Sequence, residues 1–299
     1  MSNIIPEIEK HSKEEIKSYQ DRRIPGLIKY LKEKSPYYQK VFRANEINIK
    51  EIKQIEDLSK IPVTTKEHLH KYNDDFICVP RKDIVDIVTT SGTLGDPVKF
   101  VMTNNDLDRL AYNEYISFLC TGATDHDVFQ LMTTIDRRFM AGLAYFLGAR
   151  RLGAGIVRVG NGMPELQWDT IRRISPSILI AVPSFLLKLI EWAEKNGMDY
   201  KSSSIKKAVC IGEPLKNPDF SLTTLANRIH DKWDIELYST YASTEMATAF
   251  TECSYGAGGH HHPELIIVEF LDENDKPVDE GKPGEITITT LGVKRMRLL

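Results

Sequence analysis

Short apolar runs alternate with longer runs of helical spacing from about residue 129 onward, and this alternation constrains the fold more than any other feature of the chain. Strand-like segments at 129–132, 155–159, 177–182 and 207–211 are separated by helix-like segments at 141–152, 165–174 and 184–195. Strands joined by crossover helices lie parallel, so the chain predicts an α/β fold of mostly parallel sheets with flanking helices. Ligands of such sheets bind beyond the carboxyl ends of the strands. The loops that follow strands are therefore where function is expected.

The flanking regions differ. Ile16, Ile24, Leu27, Ile28 and Leu31 recur near helical spacing across 10–42, Ser35-Pro36 interrupts the run, and a second short helix is expected from Tyr37. Thr64 or Thr65 is a candidate N-cap, as is Asn104-Asn105-Asp106 ahead of a helix over 107–120. Past residue 251 the pattern turns to strands, 265–271 and 285–290, linked by a turn-rich stretch. The expected organisation is a helical lead-in over 1–80 packed on the core, an α/β core over 81–250, and a smaller β-rich C-terminal subdomain over 251–299. A chain of 299 residues suits two packed subdomains, since single cores rarely grow past about 250 to 300 residues.

A formal charge of −3 argues against a nucleic-acid partner. No apolar run approaches the roughly 20 residues needed to span a bilayer, and the first residues lack a signal-peptide profile. A cytoplasmic protein with no membrane partner is expected. Cys78, Cys120, Cys210 and Cys253 show no regular spacing, which fits reduced thiols rather than a disulfide framework.

Three turns carry chemistry. In Val88-Thr89-Thr90-Ser91-Gly92-Thr93-Leu94-Gly95-Asp96-Pro97-Val98-Lys99, hydroxyls, glycines and one lysine crowd a connection between two extended segments. Glycines let backbone N–H groups approach an anion, Ser91 and Thr93 add donors, and Lys99 adds charge. A Walker loop would run straight into a helix after Gly-Lys, and that pattern is absent. The second turn, Gly212-Glu213-Pro214, follows a strand, and its glycine would let a flat ring lie against the backbone; the plain alternative is a strand exit. The third is Ser239-Thr240-Tyr241-Ala242-Ser243-Thr244-Glu245, where Glu245 could hold Mg²⁺ against phosphates. Its plain alternative is a glutamate in the first turn of a helix.

In order and spacing these turns resemble the adenylate-forming superfamily of acyl-CoA ligases, adenylation domains and luciferases. Ser35-Pro36-Tyr37-Tyr38, Leu58-Ser59-Lys60-Ile61-Pro62 and Thr65-Lys66 resemble the lead-in of its phenylacetate-CoA ligase branch. The resemblance implies an AMP-forming carboxylate-CoA ligase that uses ATP, Mg²⁺ and coenzyme A on an aromatic or small organic acid. It assigns phosphates to Ser91, Gly92, Thr93, Gly95 and Lys99, and the adenine to Gly212, Glu213, Pro214, Ser239, Thr240 and Tyr241. Thr244 and Glu245 would serve the α-phosphate and the metal. The acid would lie among 139–145, 181–184 and the Gly212 turn. Ala242 departs from the family's usual glycine, and the family's later aspartate, hinge and catalytic lysine would lie past Leu299. A non-catalytic nucleotide-binding or scaffold protein of this fold is the alternative, and a homodimer is left open. A kinase-like phosphotransferase would need a base that the sequence does not offer.

Cys253 with His260-His261-His262 forms the remaining cluster. Two ligand types do not make a four-ligand structural zinc site, and the residues alone favour a solvated loop. The resemblance implies instead that Cys253 and His260 are half of a Zn²⁺ site completed past Leu299.

Overall fold

The computed structural model describes residues 7–90 and 97–299. Contacts divide the chain into two compact units that interleave along the sequence: Met1–Arg109 with 244–247 and 262–299, and 110–243 with 248–261. By this division the lead-in shares its unit with the C-terminal strands. The buried Gln20 amide shows why, donating to the carbonyls of Pro263 and Ile266, each at 3.0 Å.

The first unit begins with α1 (Lys13–Lys34), α2 (Pro36–Ala44) and α3 (Lys66–Lys71). Ser12 and Glu15 form a capping box at the start of α1, and Ile24, Leu27, Ile28 and Leu31 make its buried stripe. Ser35 both ends α1 and caps α2, while Thr65 caps α3. Strands β1 (Asp86–Thr89) and β2 (Lys99–Met102) pair antiparallel with Thr89 opposite Lys99, the hairpin expected around the glycine-rich loop. Helix α4 (Asn104–Cys120) follows, but its cap is Thr103 rather than the asparagines. The Thr103 N–H donates to the Asp106 carboxylate at 3.0 Å, and the Asp106 N–H donates back to the Thr103 hydroxyl at 3.3 Å.

The second unit is the alternating region: β3 (Val128–Leu131), α5 (Met140–Leu152), β4 (Gly155–Arg158), α6 (Pro164–Ile174), β5 (Ile178–Ala181), α7 (Pro183–Lys195), β6 (Lys207–Ile211), α8 (Thr224–Lys232), β7 (Glu236–Ser243), β8 (Thr248–Glu252) and β9 (Gly259–His260). Among the described residues its strands form one sheet in the order β4-β3-β5-β6-β7-β8-β9, parallel up to β7 and antiparallel beyond. Ile178 and Ile180 enter one apolar cluster, Leu179 and Ala181 another. That split is the mark of a strand covered on both faces.

Back in the first unit, β10 (Ile266–Leu271) and β11 (Glu285–Thr290) pair antiparallel as the small β-rich part. No helix among the described residues is long and apolar enough to cross a membrane.

Candidate functional site

Strand β6 ends at Ile211, and Gly212 turns the chain at φ +75°, a left-handed conformation that favours glycine. Added bulk would meet nothing within 4 Å, so backbone conformation rather than crowding requires the glycine. The Glu213 carboxylate accepts the backbone N–H of Ser184 at 2.8 Å, which commits this side chain to the start of α7.

Parallel pairing sets Cys210 opposite Ser239 and Ile211 opposite Thr240. The Gly212 turn therefore leaves β6 beside the Ser239-Thr240-Tyr241 stretch of β7. Ser239 donates its N–H to Glu252 at 3.0 Å, and the Thr240 and Thr251 hydroxyls lie 3.4 Å apart. Glu252, almost fully buried, also pairs with Lys216 at 3.0 Å. Tyr241 is 57% exposed, with its ring 5.9 Å from that of Phe250. An exposed, edge-supported ring is the member of this run best suited to stacking on a planar base.

The third motif is not a turn throughout, as its hydroxyl-rich composition suggested. Residues 239–243 continue β7, because Thr240, Tyr241, Ala242 and Ser243 pair with β8. The turn is confined to 244–247 and links two antiparallel strands, so Glu245 does not open a helix. These four residues belong to the first unit.

In that unit two buried arginines hold the turn. Arg295 donates through Nη2 to the Thr244 carbonyl at 3.2 Å. Arg109 donates to the carbonyls of Leu291 at 3.0 Å and Leu265 at 2.7 Å, and also to that of Ala247. Burial pushes each guanidinium down to about 10, so both remain charged at neutral pH. For Arg295, the nearby carboxylates of Asp106 and Glu245 oppose that shift. Glu245 itself is half-buried. One carboxylate on a fixed turn suits Mg²⁺, which is held by one or two carboxylates together with substrate phosphates.

Lys99 opens β2 and pairs with the exposed Asp74. Ser91, Gly92, Thr93 and Gly95 lie outside the described residues.

Cys253 follows β8, and His260 sits in β9 opposite Thr251. Among the described residues no group of three or more His, Cys, Asp or Glu is placed to hold a metal, so this pair falls short of the four ligands of a structural zinc site. The histidine run is not uniformly solvated either. His260 and His261 are exposed, whereas His262 is fully buried and its Nδ1 pairs with Glu9. Cys78, Cys120, Cys210 and Cys253 form no disulfide with one another. Tyr145, within the stretch expected to line the acid pocket, is a core residue beside Phe118 and Phe129.

The sequence reading missed Arg109, Arg295 and the Lys216–Glu252 pair. Each acts through carbonyls or partners remote in sequence, and no local spacing marks them.

A sequence model of the AMP-binding enzyme family matches residues 21–296. The phenylacetate-coenzyme A ligase of Escherichia coli is 29% identical over 294 residues, covering 95% of this chain and 65% of the relative. That of Thermus thermophilus is 27% identical, covering 98% and 66%. The chain thus spans about two thirds of the length of these relatives. In fold it is similar to the crystal structure of 2-hydroxyisobutyryl-CoA ligase in complex with 2-HIB-AMP and CoA, with a TM-score of 0.87 and 22% identity over 98% of this chain and 64% of the other. With the family model matched over most of its length, the chain belongs to the AMP-binding enzymes, the adenylate-forming superfamily, and resembles the phenylacetate-CoA ligase branch.

Proposed function

We propose that this chain is the nucleotide- and acid-binding part of an AMP-forming carboxylate-CoA ligase. The carboxylate of an aromatic or small organic acid attacks the α-phosphorus of ATP and expels pyrophosphate. The CoA thiol then displaces AMP to give a thioester. What supports this reading is the register of β6 against β7, in which Ile211 lies opposite Thr240, so that the Gly212 turn leaves β6 next to the backbone of Tyr241.

The adenine would lie on the Gly212-Glu213-Pro214 main chain and Tyr241. Thr244 would donate its hydroxyl to the α-phosphate, and Lys99 would exchange Asp74 for a phosphate oxygen. Glu245 would hold Mg²⁺, which neutralises phosphate charge when bound. No side-chain nucleophile is needed, because positioning and charge stabilisation carry the chemistry. The irregular spacing of Cys78, Cys120, Cys210 and Cys253 supports a reducing, cytoplasmic setting.

Calorimetry on this chain tests the reading. ATP and AMP should bind in the presence of Mg²⁺ and raise the melting temperature by mass action. No heat and no shift at millimolar nucleotide overturns it.

A further inference from the structure

Arg295 is 1% exposed, and its guanidinium is held from two directions. Nη2 donates to the Thr244 carbonyl at 3.2 Å, and the group lies over the Phe100 ring of β2, 4.9 Å from its centroid. The other two nitrogens, Nε and Nη1, have no hydrogen-bond partner among the described residues. Arg109, buried in the same unit, places all three of its nitrogens on carbonyls. The two arginines thus differ in one respect, that Arg295 keeps unused donors.

Leaving donors of a buried cation unmade is expensive, and native structures rarely tolerate it without a reason. Here the cation holds the carbonyl of Thr244 and feels the charge of Glu245, and the side chains of both residues are only half-buried. An oxyanion reaching that turn would complete the guanidinium with charge-assisted hydrogen bonds. Phe100 and the Thr244 carbonyl fix the group beforehand, so little reorganisation would accompany binding.

We propose that Arg295 is an oxyanion-binding residue whose Nε, on the guanidinium edge it shares with Nη2, receives either the α-phosphate of the nucleotide or the carboxylate of the acid at the Thr244–Glu245 turn. The proposal rests on the nucleotide reading above.

The test measures binding of AMP, adenosine and phenylacetate, the last to AMP-loaded protein, for this chain and for Arg295→Met and Arg295→Lys. With the phosphate as ligand, Arg295→Met should weaken AMP by about tenfold or more and leave adenosine within about twofold, Lys retaining part of the affinity. With the carboxylate as ligand, AMP should hold and phenylacetate should weaken by a similar factor. Either result supports the proposal and identifies the source. Unchanged affinities, or equal losses for AMP and adenosine, overturn it and leave a buried structural arginine.

A wild-type chain that binds neither AMP nor adenosine removes the nucleotide reading, and the proposal with it. Should both variants fail to fold, wild-type protein carrying ¹⁵N-labelled arginine decides. A protected Nε–H signal must move with AMP or phenylacetate and stay still with adenosine; no such movement overturns the proposal.

Discussion

The Glu213 carboxylate accepts the backbone N–H of Ser184 at 2.8 Å, so a residue in the turn after β6 closes the first turn of α7. That helix has Val182 at its N-cap and no side-chain cap of its own. Glu213 therefore supplies both an acceptor and a negative charge where the helix dipole favours them. Glu213→Ala should lower stability by about 1 kcal/mol, read as a drop in the thermal midpoint, while Glu213→Gln should lose less. An alanine variant that melts like wild type would mean that the carboxylate does not act as a cap.

Lys99 and Asp74 pair at an exposed position, where ion pairs contribute little and exchange readily. A phosphate arriving at Lys99 must displace Asp74. Asp74→Asn should therefore tighten ATP by about two- to fivefold at low salt and leave adenosine unchanged. Lys99→Ala should weaken ATP and spare adenosine. Equal changes for ATP and adenosine would remove Lys99 from the phosphate subsite.

Glu245 stands on a turn fixed at both ends, through Arg295 on Thr244 and Arg109 on Ala247. Glu245→Gln keeps the size of the side chain and removes the charge. It should abolish most of the gain in ATP affinity that Mg²⁺ brings, with little effect on binding measured in EDTA. A titration in which Mg²⁺ helps both proteins equally would relieve Glu245 of its metal role.

The parallel sheet was legible because each of its inner strands is an apolar run bounded by turn residues, and the Gly212 turn was legible because its backbone requires a glycine. Residues 239–243 read as a turn by their serines and threonines, yet pairing with β8 makes them strand; neighbours outweigh intrinsic preference there. Likewise His262 looked solvated within a histidine run, and only Glu9, distant in sequence, explains its burial. Arg109 and Arg295 fasten carbonyls contributed by remote segments. Local pattern holds no trace of such contacts.

Cys253 and His260 offer two zinc ligands, short of the four that make a closed structural site. Elemental analysis of this chain, purified without chelator, should find well under one zinc per molecule, and the same amount after Cys253→Ser. Zinc near one per chain that disappears in Cys253→Ser would show that the remaining ligands are supplied after all, with a closed site contributing to folding.

Glu114 on α4 is a buried carboxyl. Complete burial pushes it up to about 8, against an ordinary 4.5, and the Asn113 amide that donates to Oε1 at 3.0 Å opposes that rise only in part. Oε2 has no partner among the described residues, and a Cβ added at Gly148 of α5 would come within 2.3 Å of the Glu114 Cβ, so the two helices pack closely here. The unfolded chain releases this proton near 4.5, whereas the folded chain keeps it until about 8. Stability should accordingly fall as pH rises between those values and level off above them. Glu114→Gln places a neutral group of the same shape in the site and should remove this part of the slope, gaining a few kcal/mol at pH 8 and little at pH 4.5. Denaturant melts across that range check it, and parallel profiles for the two proteins would mean that Glu114 ionises in the folded state at its ordinary pH.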